Sequence, residues 1–268
     1  MDGKTQQHEQ MFHEPMEQLG KMHERSKVYV DFMDYYIYQN SQSPQRKLPT
    51  GYKQEEIQLF DKAYHSFNNL MKSLIKKHGW YDYLGEYYEE YILAGSKASS
   101  KGQFYTPRQV SSLLSEIVGC DVNMNEAYDP ACGSARNLCE YHSRHPNVRC
   151  TGEDLDESAC KMAVINFHCH NVDGVVNWID ALTREYMGTS WKTLGGRIYI
   201  TDLETIRAVD DVMAGVSILS LSDDTIHDMM CVVAEVLGNG GSAKEVTPID
   251  SDKKEHNNKN EGVLDDWL

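Results

Sequence analysis

The sequence predicts an α/β protein: a short, truncated parallel sheet with covering helices, behind an N-terminal helical unit. Three observations carry this. Residues 126–142 read as strand, turn and helix. Asp129 closes an extended run, Gly133, Ser134 and Ala135 make a tight turn, and Ala135, Leu138, Cys139 and His142 recur at i, i+3, i+4 and i+7. The same order returns downstream: a strand at 148–152, a helical stripe of Cys160, Ala163, Val164 and Phe167, and a strand at 175–179. Upstream, Ile57, Phe60, Tyr64, Phe67, Met71 and Leu74 step by three and four, as on one face of a long amphipathic helix.

Length and composition bound the rest. A chain of 268 residues can hold one core plus a small helical unit. No run of eighteen apolar residues is present, so no membrane span is expected. Residues 1–27 lack the apolar centre of a signal peptide. Seven cysteines without a pairing pattern suit reduced thiols in a cytoplasm. The net charge of −15 is the wrong sign for a protein that grips nucleic acid alone, because phosphate neutralisation supplies much of that affinity. Lys72, Lys76 and Lys77, or Lys97, Lys101 and Arg108, could make a small basic patch; the first group reads equally as a solvated helix face.

In order, residues 1–26 form a polar segment expected to be loosely ordered or a frayed helix. A helical unit spans 27–100: an aromatic helix at 28–38, a loop at 41–51 with Pro44 and Pro49, the helix at 52–78 ended by Gly79, and a helix with Leu84, Tyr87, Tyr88, Tyr91 and Ile92 on one stripe. Five tyrosines between Tyr81 and Tyr91 could stack on bases, but their helical spacing favours core packing. A third region, 101–238, carries the strand–turn–helix units. Pro107 suits a helix first turn, with Thr106 as cap and Val110, Leu113, Leu114 and Ile117 as the stripe expected to be buried. His168, Cys169 and His170 are adjacent on a helix and so diverge, and no metal is expected there. Residues 239–268 read as a disordered or partner-binding tail.

Two stretches carry a resemblance. Gly102-Gln103-Phe104-Tyr105-Thr106-Pro107, followed about 20 residues later by Asp129-Pro130-Ala131-Cys132-Gly133-Ser134-Ala135, resembles the paired cofactor motifs of N6-adenine DNA methyltransferases. The closest likeness is to the modification subunit of type I restriction–modification systems. It begins near Trp80, since residues 82–91 resemble the helix preceding the first motif.

The resemblance implies a Rossmann-like core that binds S-adenosyl-L-methionine. Tyr105 and Thr106 would cover the methionine end. Asp129, Ala131, Gly133 and Ser134 would surround the cofactor from the glycine turn. Asp154, with Glu153 as second choice, would take the ribose hydroxyls, where a carboxylate accepts two bonds at once. Asp180 would bond the adenine amino group, and Asn166 and His170 match a family pattern. Asp156 and Glu157 read as a helix start. The implied partners are DNA, met through a specificity subunit, and other restriction-system subunits.

The pattern also departs from the family. Ala135 and Ile179 stand where it has glycines. The Pro-Pro-aromatic element that clamps a flipped adenine is absent: after Leu182 the only proline is Pro248. Residues 194–200 read as a later family strand after a Gly-Gly-Arg turn, and 202–237 as a helix, a short strand near 216–221 and a last helix. The cofactor half therefore reads as whole and the substrate half as shortened, with no catalytic residue assigned. A DNA adenine-N6 methyltransferase-like subunit is the first reading. A catalytically inactive cofactor-binding relative with a regulatory or interaction role is the second, and a methyltransferase for a small or protein substrate the third.

Overall fold

The computed structural model describes residues 3–41, 43, 45–93, 106–118 and 125–201. The expectations for Tyr105, for the strand near 216–221, for the last helix and for the tail lie outside the described residues.

The first unit is helical: α1 (Gly3–Met22), α2 (Arg25–Asn40), α3 (Gln54–His78) and α4 (Tyr83–Tyr87), which runs on as a π-helical segment Tyr88–Leu93. The N-terminal segment is better ordered than its composition suggests. α1 spans 20 residues and buries Phe12, Met16 and Leu19, a sparse stripe at i, i+4 and i+7. Phe12 lies edge-on to the rings of Phe32, Tyr83 and Tyr87, with Phe67 tilted against it. Tertiary packing thus makes a helix of a polar sequence. The tyrosines take the core reading: Tyr83 and Tyr87 are buried, and Tyr29 donates to the Leu84 carbonyl at 3.0 Å. α3 ends on Gly79, whose φ of 80° suits a residue without Cβ.

The sheet contains β1 (Glu126–Asp129), β2 (Arg149–Asp154), β3 (Gly174–Ile179), β4 (Tyr186–Leu194) and β5 (Arg197–Thr201), in that spatial order. α6 (Arg136–Arg144) and α7 (Glu157–Cys169) connect β1 to β2 and β2 to β3, which pair in parallel. The sheet is not parallel throughout, however. β4 pairs antiparallel to β3 and to β5, so it is mixed. Gly195 and Gly196, with φ of 56° and 69°, form the two-residue turn of the β4–β5 hairpin. Trp191, a lone aromatic in the sequence, is a buried core residue of β4 opposite Val176 and Ile200. β5 overlaps the strand expected at 194–200, whose first residue, Leu194, instead closes β4.

The helix after Pro107 forms as α5 (Arg108–Val118), but its faces are inverted from the expectation. Val110, Leu113, Leu114 and Ile117 are exposed, Ile117 by 70%, while Ser111 and Ser115 are buried. The polar stripe 108, 112, 116 explains the orientation. Arg108 donates to the His78 carbonyl at 2.8 Å and lies over the Trp80 ring. Ser112 and Glu116 accept from Arg144 of α6 at 2.6 and 3.2 Å. These bonds hold the 108–112–116 side of the helix against Trp80 and α6.

Candidate cofactor site at the strand ends

Because β1, β2 and β3 are parallel, Asp129, Asp154 and Asp180 arrive at one edge of the sheet: the first two end their strands and the third follows Ile179. The turn after β1 is tied by short bonds. Asp129 Oδ1 accepts the Ala131 N–H at 3.1 Å, and the Cys132 N–H reaches the Glu153 carbonyl at 2.9 Å. Gly133 has a φ of 56°, and its N–H donates to Asp154 Oδ2 at 2.8 Å. Asp154 Oδ1 accepts the Asp156 N–H at 2.9 Å. Gly152 lets the turn approach this closely, since a Cβ there would come within 2.8 Å of Cys132 Sγ.

Glu153 and Asp154 have separate tasks. Glu153 is 3% exposed; Arg184 spans both its oxygens at 2.6 and 3.2 Å, and the Tyr128 hydroxyl donates to Oε2 at 2.6 Å. Asp154 is half-buried, and each of its oxygens accepts one of these backbone N–H groups, so a lone pair on each remains for a ligand. Asp180 Oδ1 accepts the N–H groups of Leu182 and Thr183 at 2.9 and 3.1 Å. Those bonds, Thr183 first, hold its carboxyl below the ordinary carboxylate range.

The Ser134 side chain turns inward from the glycine turn. It is buried and donates to Asp82 Oδ2 at 2.5 Å. Thr106 offers its carbonyl to Arg136 Nη1 at 3.3 Å. Tyr105 lies outside the described residues.

The sequence did not point to Asp82. Only 4% exposed, it accepts from the Gly85 N–H at 2.9 Å, Arg136 Nε at 2.5 Å and Asn166 Nδ2 at 2.9 Å, besides Ser134. Asn166 Nδ2 also donates to the Ser134 carbonyl at 2.8 Å. A carboxylate from the helical unit therefore underpins the glycine turn. The local signal was an N-cap before α4; its long-range partners leave no mark in the sequence pattern.

Ala135 adopts φ 64°, in the left-handed region where the family has glycine. Ala135→Gly relieves about 1–2 kcal/mol of backbone cost and forfeits about 0.8 kcal/mol for a buried methyl. Added unfolded-state freedom takes about 0.4–1 kcal/mol more. The effects offset, so urea unfolding should show a net change below about 1 kcal/mol. A loss above about 2 kcal/mol would contradict the conformational reading.

The histidines of α7 have structural partners. His168 Nδ1 accepts from the Tyr36 hydroxyl at 2.9 Å and its Nε2 donates to the Gly196 carbonyl at 3.0 Å. His170 Nδ1 donates to the Asn166 carbonyl at 2.6 Å and its Nε2 accepts the Tyr81 N–H at 2.9 Å. Among the described residues, no group of three or more His, Cys, Asp or Glu could hold a metal. Burial lowers both histidines below their ordinary value, against the pull of their carbonyl partners. The unfolded chain then binds protons first, so stability falls as pH drops below about 6.5. Thermal melts from neutral to mildly acidic pH should show this fall, reduced in His168→Gln; an unchanged slope in that variant would contradict it.

With this geometry in view, residues 80–214, half of the chain, match the family described as N-6 DNA Methylase. The type I restriction enzyme MjaVIII methylase subunit of Methanocaldococcus jannaschii is 33% identical over 99 residues, 35% of this chain and 17% of its own length. The MjaIX methylase subunit of the same organism is 27% identical over 145 residues, 50% of this chain and 25% of that protein. The HindI methylase subunit of Haemophilus influenzae is 28% identical over 101 residues, covering 34% and 22%. The chain thus spans 17% to 25% of the length of these relatives. A solved class I S-adenosylmethionine-dependent methyltransferase from Listeria monocytogenes is 14% identical, covering 68% of this chain and 55% of that one, with a TM-score of 0.42.

Proposed function

Because this chain belongs to the N-6 DNA methylase family, we propose that it is a DNA adenine-N6 methyltransferase-like modification subunit that binds S-adenosylmethionine at the three strand ends. The observation that carries this reading is the Gly133–Asp154 link: a left-handed glycine turn held by the carboxylate of the next strand, which keeps lone pairs for a ligand. The residues present suit the cofactor. Asp154 would accept the ribose hydroxyls, Asp180 Oδ2 the adenine amino group, and the backbone from Ala131 to Gly133 would lie beside the methionine end. Bound there, the cofactor would supply an electrophilic methyl group; the chain's part is to orient it and exclude water.

DNA and a specificity subunit are the proposed partners. The charge of −15 supports sharing the DNA contact with another polypeptide. No described helix is long and apolar enough to cross a membrane, and the free cysteines suit a reducing cytoplasm. The second reading, a cofactor-binding relative without methyl transfer, is favoured by one observation: no Pro-Pro-aromatic element follows Leu182. Labelled S-adenosylmethionine and unmethylated DNA, with and without restriction-system subunits, separate the two. Label in DNA rejects the inert reading; binding without transfer supports it; no binding under any condition overturns both.

A further inference from the structure

One buried cation stands where local chemistry disfavours it. Arg136 is the first residue of α6, and the helix dipole opposes a cation at a helix N-terminus. Its side chain is nonetheless buried, so hydration does not account for its place either. Its partners do. Nε donates to Asp82 Oδ2 at 2.5 Å, Nη2 to Glu89 Oε2 at 3.1 Å and Nη1 to the Thr106 carbonyl at 3.3 Å. Asp82 and Glu89 belong to the helical unit, and Thr106 precedes α5. Arg136 itself follows the glycine turn. One planar guanidinium, with its donors in a fixed fork, therefore joins three segments.

Gly85 shows the backbone shaped around this contact. It lies inside α4, where glycine is less favourable than alanine. A Cβ there would come within 2.1 Å of Asp82 Oδ2 and 2.8 Å of Arg136 Nη2, so a larger residue would push the pair apart. From the other side, Asn166 of α7 donates to Asp82 Oδ1 at 2.9 Å and to the Ser134 carbonyl at 2.8 Å. The ion pair and the glycine turn thus share one support.

The cofactor reading brings the glycine turn and the Thr106 segment to the methionine end. A ligand that needs both loses affinity in proportion to the time they spend out of register. Tying both to one buried side chain sets their geometry before the ligand arrives. We propose that Arg136 is a positioning residue for S-adenosylmethionine, holding the glycine turn and the Thr106 segment in register from its anchorage on Asp82 and Glu89. The inference rests on the cofactor reading and adds that two carboxylates of the helical unit act on the cofactor through this guanidinium.

The test separates affinity from stability. S-adenosylmethionine is titrated calorimetrically into the full chain and its variants, and urea unfolding of each is measured alongside. Asp82→Ala combined with Arg136→Met leaves no unpaired charge, so its stability should recover relative to Asp82→Ala alone. Its affinity should stay about tenfold or more below that of the wild type. A purely structural role would restore both together. In the unliganded double variant, amide exchange at residues 133–135 should quicken. Gly85→Ala keeps every charge but wedges the pair apart, and should also weaken binding about tenfold. Tyr29→Phe removes a bond to the Leu84 carbonyl of the same helix and should leave affinity unchanged. Wild-type affinity in either the double variant or Gly85→Ala overturns the proposal and leaves the cofactor reading standing. So does a fall in Tyr29→Phe equal to that in Gly85→Ala. No binding by the wild-type chain overturns both.

Discussion

Asp82→Ala should destabilise the protein by about 3–5 kcal/mol, the range for removing one partner of a buried ion pair. Asp82 accepts four hydrogen bonds from three parts of the chain: Gly85 of α4, Ser134 and Arg136 around the glycine turn, and Asn166 of α7. Arg136 is itself buried, and without Asp82 it keeps the half-exposed Glu89 at 3.1 Å as an anionic partner. The variant leaves a cation in a site that burial makes costly. Replacing both partners, Asp82→Ala with Arg136→Met, should recover much of the loss, because no unpaired charge remains. Urea unfolding of the two variants measures this. A loss below about 1 kcal/mol for Asp82→Ala, the level of a surface ion pair, would show that the network does not tie the helical unit to the turn.

The second large effect is on ligand affinity. Asp154→Ala should weaken S-adenosylmethionine binding about 100-fold. Two hydrogen bonds to a charged acceptor contribute about 1.5 kcal/mol each at the low end, and about 3 kcal/mol corresponds to two decades. The variant also frees the Gly133 N–H from its anchor, loosening the turn expected to meet the methionine end. Calorimetric titration separates the two carboxylates at this edge. Glu153→Gln should alter stability through Arg184 and Tyr128 more than affinity, because Glu153 is enclosed by those partners. Equal affinity of Asp154→Ala and the wild type would remove Asp154 from the site.

Local chemistry was legible in the sequence and long-range choices were not. The order of β1, α6, β2, α7 and β3 follows from hydrophobic spacing and the small-residue turn, features contained within a few residues. The spacing in α5 identified two faces but could not say which meets the protein; Arg144, 32 residues from Ser112, decides that. β4 escaped notice because Met187 and Gly188 interrupt its pattern, and Trp191 gains meaning only opposite Val176 and Ile200. α1 has too few apolar residues to announce a core helix, yet α2, α3 and α4 supply the rings around Phe12. The sequence marks Ser134 as a small residue of the tight turn, and the direction of its hydroxyl is not in the pattern. Its partner Asp82 stands 52 residues away, beyond any periodicity.

Amide hydrogen exchange of the full chain, with and without saturating S-adenosylmethionine, tests the location of the cofactor most directly. A ligand lying across the strand ends slows exchange at residues 131–135, 154–156 and 182–184, and leaves α1 and the β4–β5 hairpin unchanged. Protection gathered instead around the cavity of about 520 Å³ lined by Lys161 and Trp191, or no protection at saturation, would contradict it.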